Sequence, residues 1–128
     1  MDLLTIDNNV AIPSAYTLTV LEFKDIVDKD KSKGKNVSTK ELAYVYFMCD
    51  HRSPFAVYGE AERKNEVKIN VFGLDSKWSE DPKIQAACLK YKQLTETSAI
   101  RLLKAARESV RKLQKYFETI DLTMKYSS

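Results

Sequence analysis

The residues from Asp50 to Pro54, D-H-R-S-P, bring together the side-chain types that could do chemistry. An aspartate, a histidine and a serine can form a hydrolytic relay, in which the histidine takes the proton of the serine hydroxyl. Immediate neighbours along a chain rarely reach that geometry, and no oxyanion-hole motif accompanies them. We therefore predict a structural corner, held by hydrogen bonds from Asp50, Arg52 and Ser53 to the backbone, and no catalytic residue.

The rest of the sequence offers no pattern for a cofactor, a metal ion or a small-molecule ligand. His51 is the single histidine, and it has no partner residues at metal-ligand spacing. The sequence also lacks a glycine-rich phosphate loop and paired carboxylates. Cys49 and Cys88 both fall within apolar helical patterns, so we expect reduced, buried thiols. The expectation is a protein that is not an enzyme and binds no cofactor.

Composition favours helices, because a chain of 128 residues with only three glycines and three prolines has few turn-forming residues. Its length fits one domain. No apolar run reaches the length of a transmembrane helix, so we expect no membrane partner. The N-terminal residues lack the pattern of a secretory signal.

Charge is distributed unevenly along the chain. The net charge of +3 is too small to imply a nucleic-acid partner by itself. The first 30 residues, however, carry six acidic and two basic side chains, while residues 99–128 carry seven basic and three acidic ones. This asymmetry favours head-to-tail contact between copies.

Hydrophobic periodicity predicts an all-α fold, a small bundle of about five helices with a long C-terminal helix. We expect an extended N-terminal arm at residues 1–16 and a single helical domain at 17–128. A capping box at Ser38–Glu41 opens a helix that is apolar on most of its circumference, and Trp78 covers the core from a connector. The other expected helices span Thr17–Asp30, Gly59–Phe72, a segment from about Pro82, and Ala99 to about Leu122.

Several apolar residues exceed what one small domain needs for its own core. The aliphatic side chains of the arm can pack back onto the domain or dock onto a neighbouring subunit, and both alternatives stay open. The apolar circumference of the second helix is likewise central in the domain or at a subunit interface. As candidate interface residues we take Leu3, Leu4, Ile6, Tyr44, Phe47 and Phe55.

The last helix carries apolar residues at alternating steps of four and three, which is the seam of a coiled-coil-like helix. Basic side chains surround that seam. The helix can belong to the bundle, line a ring, or pair with a neighbouring subunit. The seam residues are Ala99, Leu103, Ala106, Val110, Leu113, Phe117 and Ile120.

The order of these segments resembles a family of small virion proteins from tailed bacteriophages, notably the crAss-like phages. The resemblance covers roughly residues 38–122. It is carried by three blocks, S-T-K-E-L-A-Y-V-Y-F-M-C-D-H-R-S-P-F, E-A-E-R-K-N-E-V and D-P-K-I-Q-A-A-C-L-K-Y-K-Q-L-T-E-T, followed by the long helix that ends in Y-F-E-T-I-D-L.

The resemblance implies a structural role in the virion, which assembles in the host bacterial cytoplasm. Proteins of this type form rings beneath the portal at the head-to-tail connector, so the implied partners are copies of the chain, the portal and other connector or tail proteins. The basic helix would face a channel through which DNA passes. The candidate DNA-facing residues are Lys104, Arg107, Arg111 and Lys115.

Two alternatives remain at this point. The chain could be a free DNA-binding adaptor that uses the basic helix and a loop containing Lys29, Lys31, Lys33 and Lys35. It could also be a packaged, cargo-like or scaffold-like virion protein. A ring protein predicts weak DNA binding before assembly, whereas an adaptor predicts tight, salt-sensitive binding by the monomer.

Overall fold

The computed structural model describes residues 2–126, with side chains as far as residue 120. It confirms the all-α fold: the described residues contain five α-helices and one small two-stranded sheet, with 3₁₀ turns at Thr17–Thr19 and Lys33–Lys35. The elements are β1 (Leu4–Asp7), β2 (Val10–Pro13), α1 (Leu21–Lys29), α2 (Asn36–Cys49), α3 (Glu60–Phe72), α4 (Pro82–Thr95) and α5 (Ser98–Tyr126).

Helix α2 is the centre of the fold. It contacts the β-hairpin and helices α1, α3 and α4. Leu42, Ala43 and Val45 have no exposed surface. A helix that is apolar on most of its circumference must be covered on several sides, and here the neighbouring elements of the same chain provide that cover.

The N-terminal residues form an antiparallel β-hairpin, in which Leu4 pairs with Pro13. Our expectation was an extended arm. The hairpin forms because Asn8 and Asn9 both adopt positive φ angles, 50° and 64°, as a two-residue type I′ turn requires. Leu4 is buried against the core, so the arm packs back onto its own domain.

Helix α2 begins three residues earlier than the capping box predicts, with Lys35 rather than Ser38 at the N-cap position. Its capping group comes from outside the helix: the Asp30 carboxylate accepts hydrogen bonds from the Ser38 backbone N–H at 2.6 Å and from the Ser32 hydroxyl at 2.5 Å. These hydrogen bonds, that from Ser32 first, hold the pKa of Asp30 well below its usual range. Glu41 instead lies buried and accepts from the Trp78 indole N–H at 3.2 Å.

The later helix boundaries agree with their local signals. Gly73, at φ 97°, follows the last residue of α3 and is favoured there because glycine tolerates a positive φ. Asp81 accepts a hydrogen bond from the Ile84 N–H at 2.9 Å and so caps α4. Trp78 covers the core as expected, stacked on Phe72 at a ring-centroid distance of 4.2 Å.

The chain divides into two compact units between Thr95 and Glu96. The first holds the hairpin and helices α1–α4. The second contains α5, a helix about 43 Å long at 1.5 Å per residue. The single domain expected at 17–128 stays a prediction.

Arg63 ties the irregular corner between α2 and α3 to the rest of the first unit. Its guanidinium group donates to the carbonyl oxygens of Met48 at 3.1 Å, Phe55 at 3.1 Å, Ala56 at 3.2 Å and Tyr58 at 2.7 Å. Backbone carbonyls outside regular structure need such partners. A guanidinium group is planar and carries several N–H donors, so one arginine side chain can bind most of the carbonyl oxygens of a turn.

We predict that Arg63→Met lowers the free energy of unfolding by about 3 kcal/mol, because it removes four hydrogen bonds to backbone carbonyls, of which only the Phe55 carbonyl keeps another donor, the Tyr58 N–H. Urea unfolding followed by circular dichroism measures the loss. Lys64→Met is the matched control, since Lys64 is exposed and its one ion pair, to Glu80, is at 4.0 Å. The control should lose less than about 1 kcal/mol; equal losses in both variants would contradict the role of Arg63.

Candidate functional site

Arg52 of the predicted corner and Tyr91 of α4 converge on the buried carboxylate of Asp50. It accepts hydrogen bonds from the Tyr91 hydroxyl at 2.5 Å, from Arg52 Nε and Nη2 at 3.0 Å each, and from the Arg52 backbone N–H at 2.8 Å. These hydrogen bonds join the end of α2 to α4. The carboxylate is thus held in a satisfied structural network, in line with the predicted corner.

The environment of Asp50 shifts two pKa values in opposite directions. Burial raises the pKa of Asp50, but hydrogen bonds from Arg52 and Tyr91 outweigh it and bring the pKa below its usual value. Burial raises the pKa of the Tyr91 phenol, and the hydrogen bond to Asp50 raises it further. The pair is therefore an ionised carboxylate and a neutral phenol, and neither is suited to proton transfer near neutral pH.

Ser53 is not arranged as a nucleophile. Its hydroxyl donates to the Phe47 carbonyl oxygen at 2.7 Å and accepts from the Phe55 backbone N–H at 3.1 Å. His51 Nδ1 lies 3.7 Å from Asp50 Oδ1. The serine hydroxyl thus stabilises the backbone of the corner. Asp50, His51 and Ser53 are not arranged as a hydrolytic relay.

The two cysteines lie next to each other between α2 and α4. Neither is in a disulfide, and Cys49 Sγ donates to the Cys88 carbonyl oxygen at 3.7 Å. Contact with the Cys49 thiol, together with burial, raises the pKa of the Cys88 thiol well above its usual range. A thiol that stays protonated is a poor nucleophile and a poor metal ligand.

Among the side chains that the structure describes, no group of three or more histidine, cysteine, aspartate or glutamate residues is placed to hold a metal ion. In the same part of the chain, no helix is both long and apolar enough to cross a membrane.

The candidate interface residues lie mostly inside the first unit. Leu3, Leu4, Tyr44 and Phe47 are buried in its core, and Tyr44 keeps only 2% of its surface exposed. The remaining two, Ile6 and Phe55, are partly buried against that core. Other parts of the same chain therefore cover most of the surface of these six side chains, and their role at an interface stays a prediction.

Helix α5 carries a run of exposed apolar side chains. Leu102 is 73% exposed and Leu113 is 54% exposed. The large apolar side chains of this helix recur at helical spacing along one face, and we call them the apolar stripe. The apolar stripe consists of Leu102, Leu103, Val110, Leu113, Tyr116 and Phe117.

The candidate DNA-facing residues lie on the side of α5 away from the apolar stripe, with Arg107 at the edge nearest to the stripe. At 100° per residue, Lys104, Arg107, Arg111 and Lys115 fall within an arc of about 80°. Arg111 forms an ion pair with Glu108, and Lys104 lies 3.6 Å from Glu96. The helix therefore presents one apolar face and one basic face, as the spacing in the sequence predicts.

Two of the four lysines in the predicted phosphate-contacting loop have structural partners. Lys35 Nζ donates to the carbonyl oxygens of Val27 at 3.0 Å and Asp30 at 2.7 Å, at the C-terminal end of α1. Lys29 Nζ lies 3.6 Å from the buried Glu41 carboxylate. This leaves a smaller basic surface in the loop than the sequence indicates.

Sequence reasoning missed a groove between α1 and α4. It has a volume of about 200 Å³. Leu21 stands on its wall and is 64% exposed, although its position fits the apolar pattern of α1. No periodicity in a single segment could have indicated this groove, because two helices distant in sequence form it. It is lined by Leu21, Glu22, Asp25, Pro82, Lys83 and Ala86.

No protein-family model matches this sequence, and no curated protein or solved structure matches the chain. The resemblance to phage virion proteins therefore rests on the sequence pattern alone. Function is therefore inferred from the surfaces of the molecule, above all from the two faces of α5.

We predict that Asp50→Asn lowers the free energy of unfolding at neutral pH by about 2–3 kcal/mol, because charge-assisted hydrogen bonds are removed. The pKa of Asp50 is lower in the folded state than its ordinary value of 3.8. Its contribution is therefore complete above that value and disappears as the pH falls through the folded-state pKa. Thermal unfolding between about pH 2 and pH 7 measures both effects.

The variant should consequently lose less stability on acidification than the wild type. Asp28→Asn is the matched control, since the Asp28 carboxylate is exposed and has only a 3.8 Å contact with Lys24. Its loss at neutral pH should stay under about 1 kcal/mol. An unchanged acid transition in Asp50→Asn would rule out a stabilising carboxylate at this position.

Proposed function

We propose that this protein is a structural part of a tailed bacteriophage particle, in which copies of the chain assemble into a ring at the head-to-tail connector. The proposal of assembly rests on one observation, the apolar stripe of α5. The phage setting is supported by the sequence resemblance, with the portal and other tail proteins as further partners. The particle is the proposed location.

The apolar stripe favours assembly because exposing it to water is costly. Fully burying one large apolar side chain contributes about 1.5–3 kcal/mol. Monomeric soluble proteins rarely expose a contiguous apolar patch of this kind unless it serves binding. Six large side chains along one face of a long helix therefore support a protein partner for that face.

The charge distribution supports a ring rather than a symmetric pair. One end of the sequence is acidic and the other is basic, so two different surfaces attract each other. When two different surfaces of the chain bind each other, a dimer still exposes one unbound surface of each type. Further copies can bind these surfaces until the assembly closes into a ring. A closed ring satisfies every copy equally.

Binding of DNA by the basic face is a second candidate function. Lys104, Arg107, Arg111 and Lys115 lie on one side of α5, and phosphate contacts from such a face need no base sequence. In a ring, this face could line a DNA channel. In a free adaptor or a packaged virion protein, it would bind DNA without assembly.

We predict that the full chain self-associates and that Leu113→Glu weakens self-association by roughly tenfold or more, because the substitution places a charge at the centre of a buried contact. Light scattering coupled to size-exclusion chromatography, over a range of protein concentrations, measures the mass. A wild-type chain that remains monomeric at the highest concentration would overturn assembly.

Thr119→Glu is the matched control for this experiment. Thr119 is exposed and lies away from the apolar stripe, on the opposite side of α5 by helical spacing. The control introduces the same charge into the same helix. It should associate like the wild type, whereas an equal loss in both variants would assign the effect to total charge.

For the DNA function, we predict that replacing Lys104, Arg107 and Arg111 with alanine weakens DNA binding to the same extent for unrelated sequences. The slope of log affinity against log salt should fall by about one for each phosphate that is no longer neutralised. Fluorescence anisotropy with two unrelated duplexes measures both. A variant with alanine at the exposed lysines Lys40, Lys64 and Lys77 controls for charge; an equal loss of affinity there would contradict a specific basic face.

A further inference from the structure

We infer that the apolar stripe of α5 docks into the groove between α1 and α4 of a second copy of this chain. The inference rests on the proposed function and names the surface that receives α5. Two exposed features of the same chain suggest it: an apolar helix face bordered by cations, and an apolar groove bordered by carboxylates.

The groove has the form that a third helix needs. Two packed helices, α1 and α4, provide its walls, and a helix placed over such a pair can contact both. Leu21 and Pro82 are exposed apolar residues on opposite walls. A small ligand would fill only the groove itself, which has a volume of about 200 Å³. A helix is longer and can also contact the apolar surface beyond the groove.

That surface continues along α4. Pro82, Ala86 and Leu89 fall on one face of the helix at helical spacing, and Leu89 is 60% exposed. These three residues span about two turns, or roughly 10 Å. The receiving surface is therefore elongated along a helix axis, like the apolar stripe that we place on it.

Charge complementarity selects α5 as the occupant. Glu22 and Asp25 stand on the α1 wall, and neither forms an ion pair with any described side chain. Lys83 is the one cation in the lining. On α5, Arg107 and Lys112 border the apolar stripe on its two sides by helical spacing. Docking therefore brings cations next to carboxylates.

Pairing of α5 with α5 of another copy is less favourable. Residues 98–120 carry six basic and two acidic side chains. Two such helices placed side by side repel each other, whereas the groove offers the opposite charge. Docking of α5 into the groove is also a contact between two different surfaces, so it can propagate from copy to copy and close a ring.

A charge-reversal experiment on the full chain tests this inference. The groove variant carries Glu22→Lys and Asp25→Lys, and the helix variant carries Arg107→Glu and Lys112→Glu. Each variant alone has like charges on both surfaces, so we expect each to associate at least tenfold more weakly than the wild type. An equimolar mixture should regain assembly, because the groove of each variant then matches α5 of the other.

The control variant carries Lys104→Glu and Lys115→Glu, which changes the net charge as the helix variant does, on the opposite face of α5. It should associate like the wild type. Light scattering measures the masses of single variants and mixtures, and circular dichroism checks that each variant is folded. Recovery in the mixture also excludes misfolding as the cause of the weakened association.

The other outcomes would overturn the inference. If α5 paired with α5, the groove variant would assemble like the wild type. If α5 folded back into the groove of its own chain, mixing the two variants would not restore assembly. If the wild type assembles and the groove variant assembles equally well, docking into the groove is contradicted, but the proposed function is not. A monomeric wild type removes both.

Discussion

The C-terminal end of α2 sets the main physical constraint on this fold. A helix leaves its last carbonyls without intrahelical donors, and here that end lies in the core. The Phe47 carbonyl receives the Ser53 hydroxyl, and the Met48 carbonyl receives the Arg63 guanidinium group. Because Arg63 also holds the corner up to Tyr58, the direction in which α3 leaves depends on this one side chain.

Asp50 extends the same constraint to the rest of the first unit. Its carboxylate joins the end of α2 to Tyr91 of α4 and to Arg52. Arg52 in turn donates to Asp2 next to the hairpin at 2.9 Å. Burial of the Asp50 carboxylate is acceptable because its oxygens accept hydrogen bonds from Arg52 and Tyr91, whereas Arg52 and Asp2 themselves are exposed. The aromatic and aliphatic core then fills the space that this polar frame defines.

Local signals made part of the structure predictable, and non-local partners explain the rest. Asp81 before Pro82 and Gly73 after α3 act within their own helices, so the sequence indicates them directly. Asp30 caps α2 from eight residues before Ser38, and no helix-start motif contains that spacing. The spacing along α5 predicts both faces of the helix. It could not predict that the apolar face stays exposed, nor that α1 and α4 form a groove, since both depend on how separate helices pack.

The two units differ in how much of their apolar surface they bury. In the first, the buried apolar side chains form one core around α2 that includes Leu4 and Phe47, while Leu21 and Leu89 stay exposed. Helix α5 has 29 residues and is rich in alanine, leucine, arginine and lysine, so it exceeds the length at which an isolated helix is marginal. It can therefore stay helical without burying its apolar stripe. A preformed helix loses less conformational entropy on docking than a disordered segment would, which makes α5, rather than the aromatic centre of the chain, the element best suited to bind a partner.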